Sequence, residues 1–188
     1  NMFCEPGAPA EVPASREICE LINKLGADLR DLEGLVVWIT SATISANGKS
    51  DWEHFIRNFV FQEVQERTIE ALKLGGHGEQ IWQDFLVCDK DLVVRKNRYS
   101  ALTPGSSTLQ SILSSHGIRN VLIGGTKTNI CCESTARDAM MLDYNVDMVQ
   151  ECNAALSEEE HRSALENVIQ QFGDVMTAED VTTILRNG

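Results

Sequence analysis

The chain has 188 residues, enough to bury a full hydrophobic core without disulfide or metal staples. Lys and Arg number 16 against 28 Asp and Glu, a net charge of −12, which argues against nucleic acid and anionic membrane surfaces as partners because both demand cationic patches. No apolar run approaches the roughly 18 residues of a membrane span.

Residues 1–13 are loop-like, with Pro6, Pro9 and Pro13. Ser15 is placed as the N-cap of a helix with Ile18, Leu21, Ile22, Leu25 and Leu29 on one face, broken at Gly34. Residues 35–40, Leu-Val-Val-Trp-Ile-Thr, form a short apolar run, the pattern of a central strand. Residues 41–49 are a polar loop with Asn47-Gly48, and residues 51–74 are amphipathic and helical in part, ending at Gly75-Gly76. Residues 91–95 predict a second strand, followed by a helix through Leu109, Ile112 and Leu113 that ends near Gly117. Residues 120–123, 146–149 and 174–176 predict three more strands. Helices are predicted from Cys131 to about Asp143, from Ser157 with Glu158, Glu159 and Glu160 in its first turn, and after Thr177 as cap.

Strands and helices alternate, and each crossover is long enough for a βαβ unit. The expected fold is α/β, a doubly wound and mostly parallel sheet with helices on both faces, in one unit spanning residues 1–188. Functional groups then gather at the carboxyl ends of the strands, where Ser41, Lys96 and the turn at residues 124–131 fall.

The most informative run is residues 124–139, Gly-Gly-Thr-Lys-Thr-Asn-Ile-Cys-Cys-Glu-Ser-Thr-Ala-Arg-Asp-Ala. An apolar strand feeds a glycine pair, a turn, and a cysteine at a helix start. The helix dipole there favours a thiolate, and backbone N–H groups around the turn can hold a developing oxyanion. Spacing alone leaves two readings of Cys131 open, a nucleophile or an inert packed thiol. Lys96, taken alone, is likewise open between a solvated strand end and a functional cation. The six cysteines form no Cys-x-x-Cys pair, which fits free thiols in a reducing cytoplasm, with disulfides possible but unsupported. The four histidines show no zinc-ligand spacing, so no metal is expected.

Two motifs together carry a family resemblance. Lys96-Asn97-Arg98-Tyr99-Ser100-Ala101, then a helix and an apolar strand, then the Gly-x-x-Thr-Asn-x-Cys run with Glu133-Ser134-Thr135-Ala136-Arg137-Asp138-Ala139, resemble the isochorismatase-like cysteine hydrolases. The likeness runs from Val36 to the C-terminus and is greatest to the ureidoacrylate amidohydrolase group. It implies a Rossmann-like three-layer sandwich, with Cys131 as nucleophile, Lys96 as the triad lysine, and the backbone N–H groups of Lys127 and Cys131 as oxyanion hole. A cis peptide is implied at Thr126–Lys127. Tyr99, Ser41, Phe3 and Asn129 are the implied substrate-binding residues. The implied reaction is hydrolysis of a C–N bond in a small ureido, carbamoyl or amide compound, without a cofactor and in a homo-oligomer, dimer or tetramer. A vinyl-ether hydrolase of isochorismatase type and a non-catalytic scaffold member are the alternatives.

The sequence departs from the pattern in several places. The family's triad aspartate ends a first strand, in an Asp-Met-Gln-Asn-type motif. Asn1-Met2-Phe3 resembles the continuation of that motif, so we expect that strand and its aspartate to lie outside this sequence and the unit to be N-terminally incomplete. Ser41 stands where the ureidoacrylate group tends to carry asparagine. Cys132 stands where valine is usual, as a small buried residue. Lys127 replaces a small residue and either faces a subunit interface or narrows the pocket. Arg137 and Asp138 are expected to form a structural pair.

Overall fold

A computed structural model describes residues 1–45 and 47–187. Five strands form: β1 (Val37–Ser41), β2 (Leu92–Lys96), β3 (Asn120–Thr126), β4 (Asn145–Ala154) and β5 (Asp174–Met176). All stand at predicted sites, but β3 and β4 run on past their apolar runs. A side chain extends them. Asn153 Nδ2 donates to Ile123 O at 2.9 Å and to Val149 O at 2.8 Å, where the register shifts between Ile123 and Gly125. An amide thus replaces ladder bonds that the irregular backbone cannot make.

Every strand pair is parallel. β1 pairs with β2, placing Ser41 beside Lys96, and β4 lies between β3 and β5. These are two sheets, separated between β1 and β3 by a cleft that both strands line. Leu92 N–H bonds Val36 O and Ala42 N–H bonds Lys96 O, so the alternate peptide groups of Val37, Ile39 and Ser41 face the cleft. By the same alternation, Asn145 N–H on Arg119 O turns the groups of Asn120 and Leu122 toward it from the other side. The doubly wound sheet is therefore interrupted at its middle.

Helices cover both faces because β4 alternates. Val146 and Met148 pack with α4 (Leu109–Ser115), α5 (Glu133–Met141) and α6 (Glu158–Gln171). Val149 and Cys152 pack with α1 (Cys19–Asp31) and α7 (Ala178–Asn187). Ser157 caps α6, its Oγ accepting Glu160 N–H at 3.2 Å. Thr177 caps α7: its hydroxyl accepts Asp180 N–H at 3.0 Å and donates to the Asp180 carboxylate at 2.6 Å.

Ser15 is not a cap. It lies in a 3-10 turn, Pro13–Arg16, buried, with its hydroxyl donating to Phe3 O at 3.1 Å, and α1 begins only at Cys19. A non-local carbonyl outcompetes the local N–H groups. The amphipathic stretch after Asp51 divides into α2 (Glu53–Phe59) and α3 (Gln65–Ala71), which form a separate small core through Ile56 and Leu72 with Met2 and Ile44.

One polar latch joins α1 to the first sheet. Arg30 forks onto Asp91 (Nε–Oδ1 2.8 Å, Nη2–Oδ2 2.6 Å) and Trp38 Nε1 donates to Oδ2 at 2.7 Å. The Asp91 side chain is 1% exposed, and the Arg30 bonds hold its carboxyl down at about 2 against the opposing effect of burial. Among the described residues no helix is long and apolar enough to cross a membrane.

Candidate active site

Lys96 closes β2 and is buried, at 6% exposure. Its ammonium donates to Arg98 O at 2.9 Å and lies 3.4 Å from Cys131 Sγ. Among the described residues no carboxylate lies within ion-pair distance of it. A cation in such surroundings is stabilised by a carbonyl dipole and a polarisable sulfur alone.

Cys131 is half-buried in a single π turn, Thr128–Cys132, that precedes α5 rather than heading it. The turn follows Gly125, at φ +135°, and a cis peptide bond at Thr126–Lys127. Glycine is required at 125 because that φ is closed to most side chains. Ile130 and Cys132 N–H groups both bond Lys127 O at 3.2 Å, and no side chain caps the turn. Its base is fastened to α6, where the buried Thr128 hydroxyl pairs with His161 Nδ1 at 2.9 Å.

A cavity of about 430 Å³ fills the cleft and reaches this corner. Phe3, Ser41, Lys96 and Cys131 line it together, with apolar side chains of β1 and β3 below. Lys127, Asn129 and Tyr99 do not line it. Asn129 Oδ1 is buried and has no hydrogen-bond partner among the described residues. Tyr99 packs edge-on against Trp52 (4.8 Å) and Phe55 (5.9 Å), with Arg98 over the Trp52 ring at 5.1 Å. Burial pushes its phenol up, with Cys131 adding to the effect. Cys132 is buried as expected, and burial pushes its thiol far up, with Cys131 adding to the effect.

The expected pair of Arg137 with Asp138 does not form. Arg137 binds Glu133 at 2.6 Å and stacks over Phe172 at 4.1 Å, whereas Asp138 accepts the Thr103 hydroxyl at 2.7 Å. Helical geometry explains this, because residues one apart do not face each other but residues four apart do. Thr135, unassigned in the sequence, also lines the cavity and donates to Cys131 O at 2.7 Å. Its spacing of four from Cys131 is the signal that could have found it. Among the described residues no cluster of three or more His, Cys, Asp or Glu could hold a metal ion.

Comparison with known proteins agrees with the fold. The family model for the isochorismatase domain matches residues 1–180. The chain belongs to the isochorismatase family. It is 36% identical over 137 residues to the ureidoacrylate amidohydrolase RutB of Pseudomonas syringae pv. syringae, a match taking in 72% of this chain and 55% of that protein. The chain thus spans about half the length of that relative. A second RutB, from an Enterobacter species, is 36% identical over 178 residues, 90% of this chain and 76% of that one. A crystal structure of a cysteine hydrolase from Pseudomonas syringae pv. phaseolicola superposes with a TM-score of 0.84 at 22% identity, covering 98% of this chain and 87% of that chain.

Proposed function

We propose that this chain carries the catalytic corner of a cysteine amidohydrolase that cleaves a C–N bond in a small ureido, carbamoyl or amide compound. The observation that carries the reading is the buried Lys96 ammonium 3.4 Å from Cys131 Sγ, at the carboxyl end of the cleft between β1 and β3. The ammonium and the start of α5 both set positive charge beside the sulfur that the proposed attack uses. The names of the two RutB relatives support an amide-type substrate.

In the proposed reaction a carboxylate takes the Cys131 proton and the thiolate attacks the carbonyl carbon. The tetrahedral oxygen is held by the backbone N–H groups of Lys127 and Cys131. The C–N bond breaks, the proton passes to the departing amine or ammonia, and water then cleaves the thioester. The carboxylate is the one element without a candidate beside Lys96. The cleft suits an extended segment, since peptide groups of both β1 and β3 face it without a strand partner among the described residues. A strand seated there in parallel would bring its carboxyl end to Lys96, and an aspartate at that end is the proposed base. Ser41, Phe3, Asn129 and Tyr99 are the proposed substrate contacts. The reading extends to a homo-oligomer, supported by Met140, Met141 and Leu142 exposed together at the end of α5.

Ammonia release from a panel of ureido, carbamoyl and amide compounds tests the reading. Turnover that disappears in Cys131→Ala is expected. Full turnover in Cys131→Ala, or cleavage confined to vinyl ethers, would refute it.

A further inference from the structure

The loop after β2 and the turn that carries Cys131 are joined through the Thr135 hydroxyl. Thr135 Oγ1 donates to Cys131 O at 2.7 Å and accepts Ala101 N–H at 3.2 Å. Ala101 is 2% exposed, so that N–H has no water in reserve. The loop is closed on itself: Ser106 Oγ donates to Ser100 O at 2.6 Å, Ser107 Oγ to Ala101 O at 2.6 Å, and Asn97 N–H to Ser106 O at 3.1 Å. Residues 97–107 are therefore cross-linked, and the Arg98 carbonyl that holds the Lys96 ammonium belongs to this linked loop. A second pin, Thr103 Oγ1 to Asp138 Oδ2 at 2.7 Å, fastens the outer side of the loop to α5.

We propose that Thr135 is a positioning residue whose hydroxyl sets the Lys96–Cys131 separation. It ties the nucleophile's own carbonyl to the loop that holds the lysine. The inference rests on the reading of Cys131 as nucleophile. Thr135→Val keeps the shape, removes the bridge and orphans the Ala101 N–H. Thr135→Ser keeps the bridge. Thr103→Val removes the outer pin alone.

The test is the rate of iodoacetamide modification at Cys131 at neutral pH, followed by peptide mass spectrometry, with the exposed Cys88 as reference in the same molecule. Thr135→Val is expected to slow Cys131 about tenfold relative to Cys88, the scale of one lost hydrogen bond. Thr135→Ser and Thr103→Val are expected to stay within about twofold of wild type, although Thr103→Val lowers the melting temperature. Wild-type speed in Thr135→Val overturns the inference. So does a Thr135→Ser protein that has lost the fast Cys131 reaction, a result that stands even if the valine variant does not fold. A wild-type Cys131 no faster than Cys88 sinks the nucleophile reading itself, and is told apart because it needs no variant.

Discussion

The Lys96 ammonium lies 3.4 Å from Cys131 Sγ, bringing the carboxyl end of β2 to a turn 35 residues further along the chain. Neither partner has a local reason to be there. Lys96 is carried by a strand that pairs only with β1, and Cys131 by a turn that leaves the other sheet. The contact is made across the interrupted middle of the fold, held by the residues 97–107 loop where it docks on α5.

Lys96→Met should keep the apolar packing of the site and remove the ammonium beside the thiol. The expected loss in kcat/KM is about 10²–10³-fold, the scale seen when one electrostatic stabiliser is removed from a transition state. Steady-state kinetics on the ammonia-releasing substrate measure it. Activity unchanged by the substitution would remove Lys96 from the chemistry.

The Arg30–Asp91 latch gives stability a specific pH dependence. Asp91 is held at about 2 in the fold, whereas an unfolded aspartate titrates near 3.9. A depressed folded value gives stabilisation that is complete above the unfolded value. It is lost as pH falls from about 4 through about 2, and amounts to about 2–3 kcal/mol. Arg30→Ala leaves a buried carboxylate without its cation and should cost about 3–5 kcal/mol at neutral pH. Urea melts from pH 2 to pH 7 should show a flatter acid limb in the variant. An acid limb of unchanged slope would remove this pair from the account.

Much of this architecture is legible in the sequence, for identifiable reasons. β1 and β2 announce themselves as runs such as Trp38-Ile39 and Val93-Val94, the continuous apolar pattern of a parallel strand, although Ile39 and Val93 stay exposed at 37% and 56%. The end of β4 is hidden because Asn153 is polar and does its work through a side-chain amide bonding two carbonyls. Ser15 looks like a cap because caps are read from neighbours, whereas its partner, Phe3 O, lies twelve positions away. At the site, Lys96 and Cys131 are visible through motif spacing. The Thr135 bridge to Ala101, the His161 bond to Thr128 and the Trp52–Tyr99 contact are not, since each joins segments whose approach only the tertiary fold decides.

Thiol reactivity should divide the cysteines by burial. Burial first, and the charges of Cys4 and Asp84 after it, push Cys19 up to about 11; burial and then Glu151 push Cys152 up to about 12. Both should resist maleimide at pH 8 in the native protein and label fully in denaturant, together with Cys132. Rapid native labelling of Cys152, at 1% exposure, would mean that β4 opens locally.

Met141, 64% exposed, stands beside Met140 and Leu142 at the end of α5. If this apolar cluster is covered in a homo-oligomer, Met141→Lys places a charge in the contact and should lower the mass seen by light scattering after size exclusion. A wild-type protein that is monomeric at all concentrations would contradict the oligomer.

The most direct measurement is the order in which iodoacetamide modifies the cysteines of the native protein at neutral pH. The account predicts that half-buried Cys131 reacts first, about tenfold or more ahead of the exposed Cys88, and that Lys96→Met abolishes this lead. Modification of Cys131 no faster than Cys88 or Cys19 would contradict it.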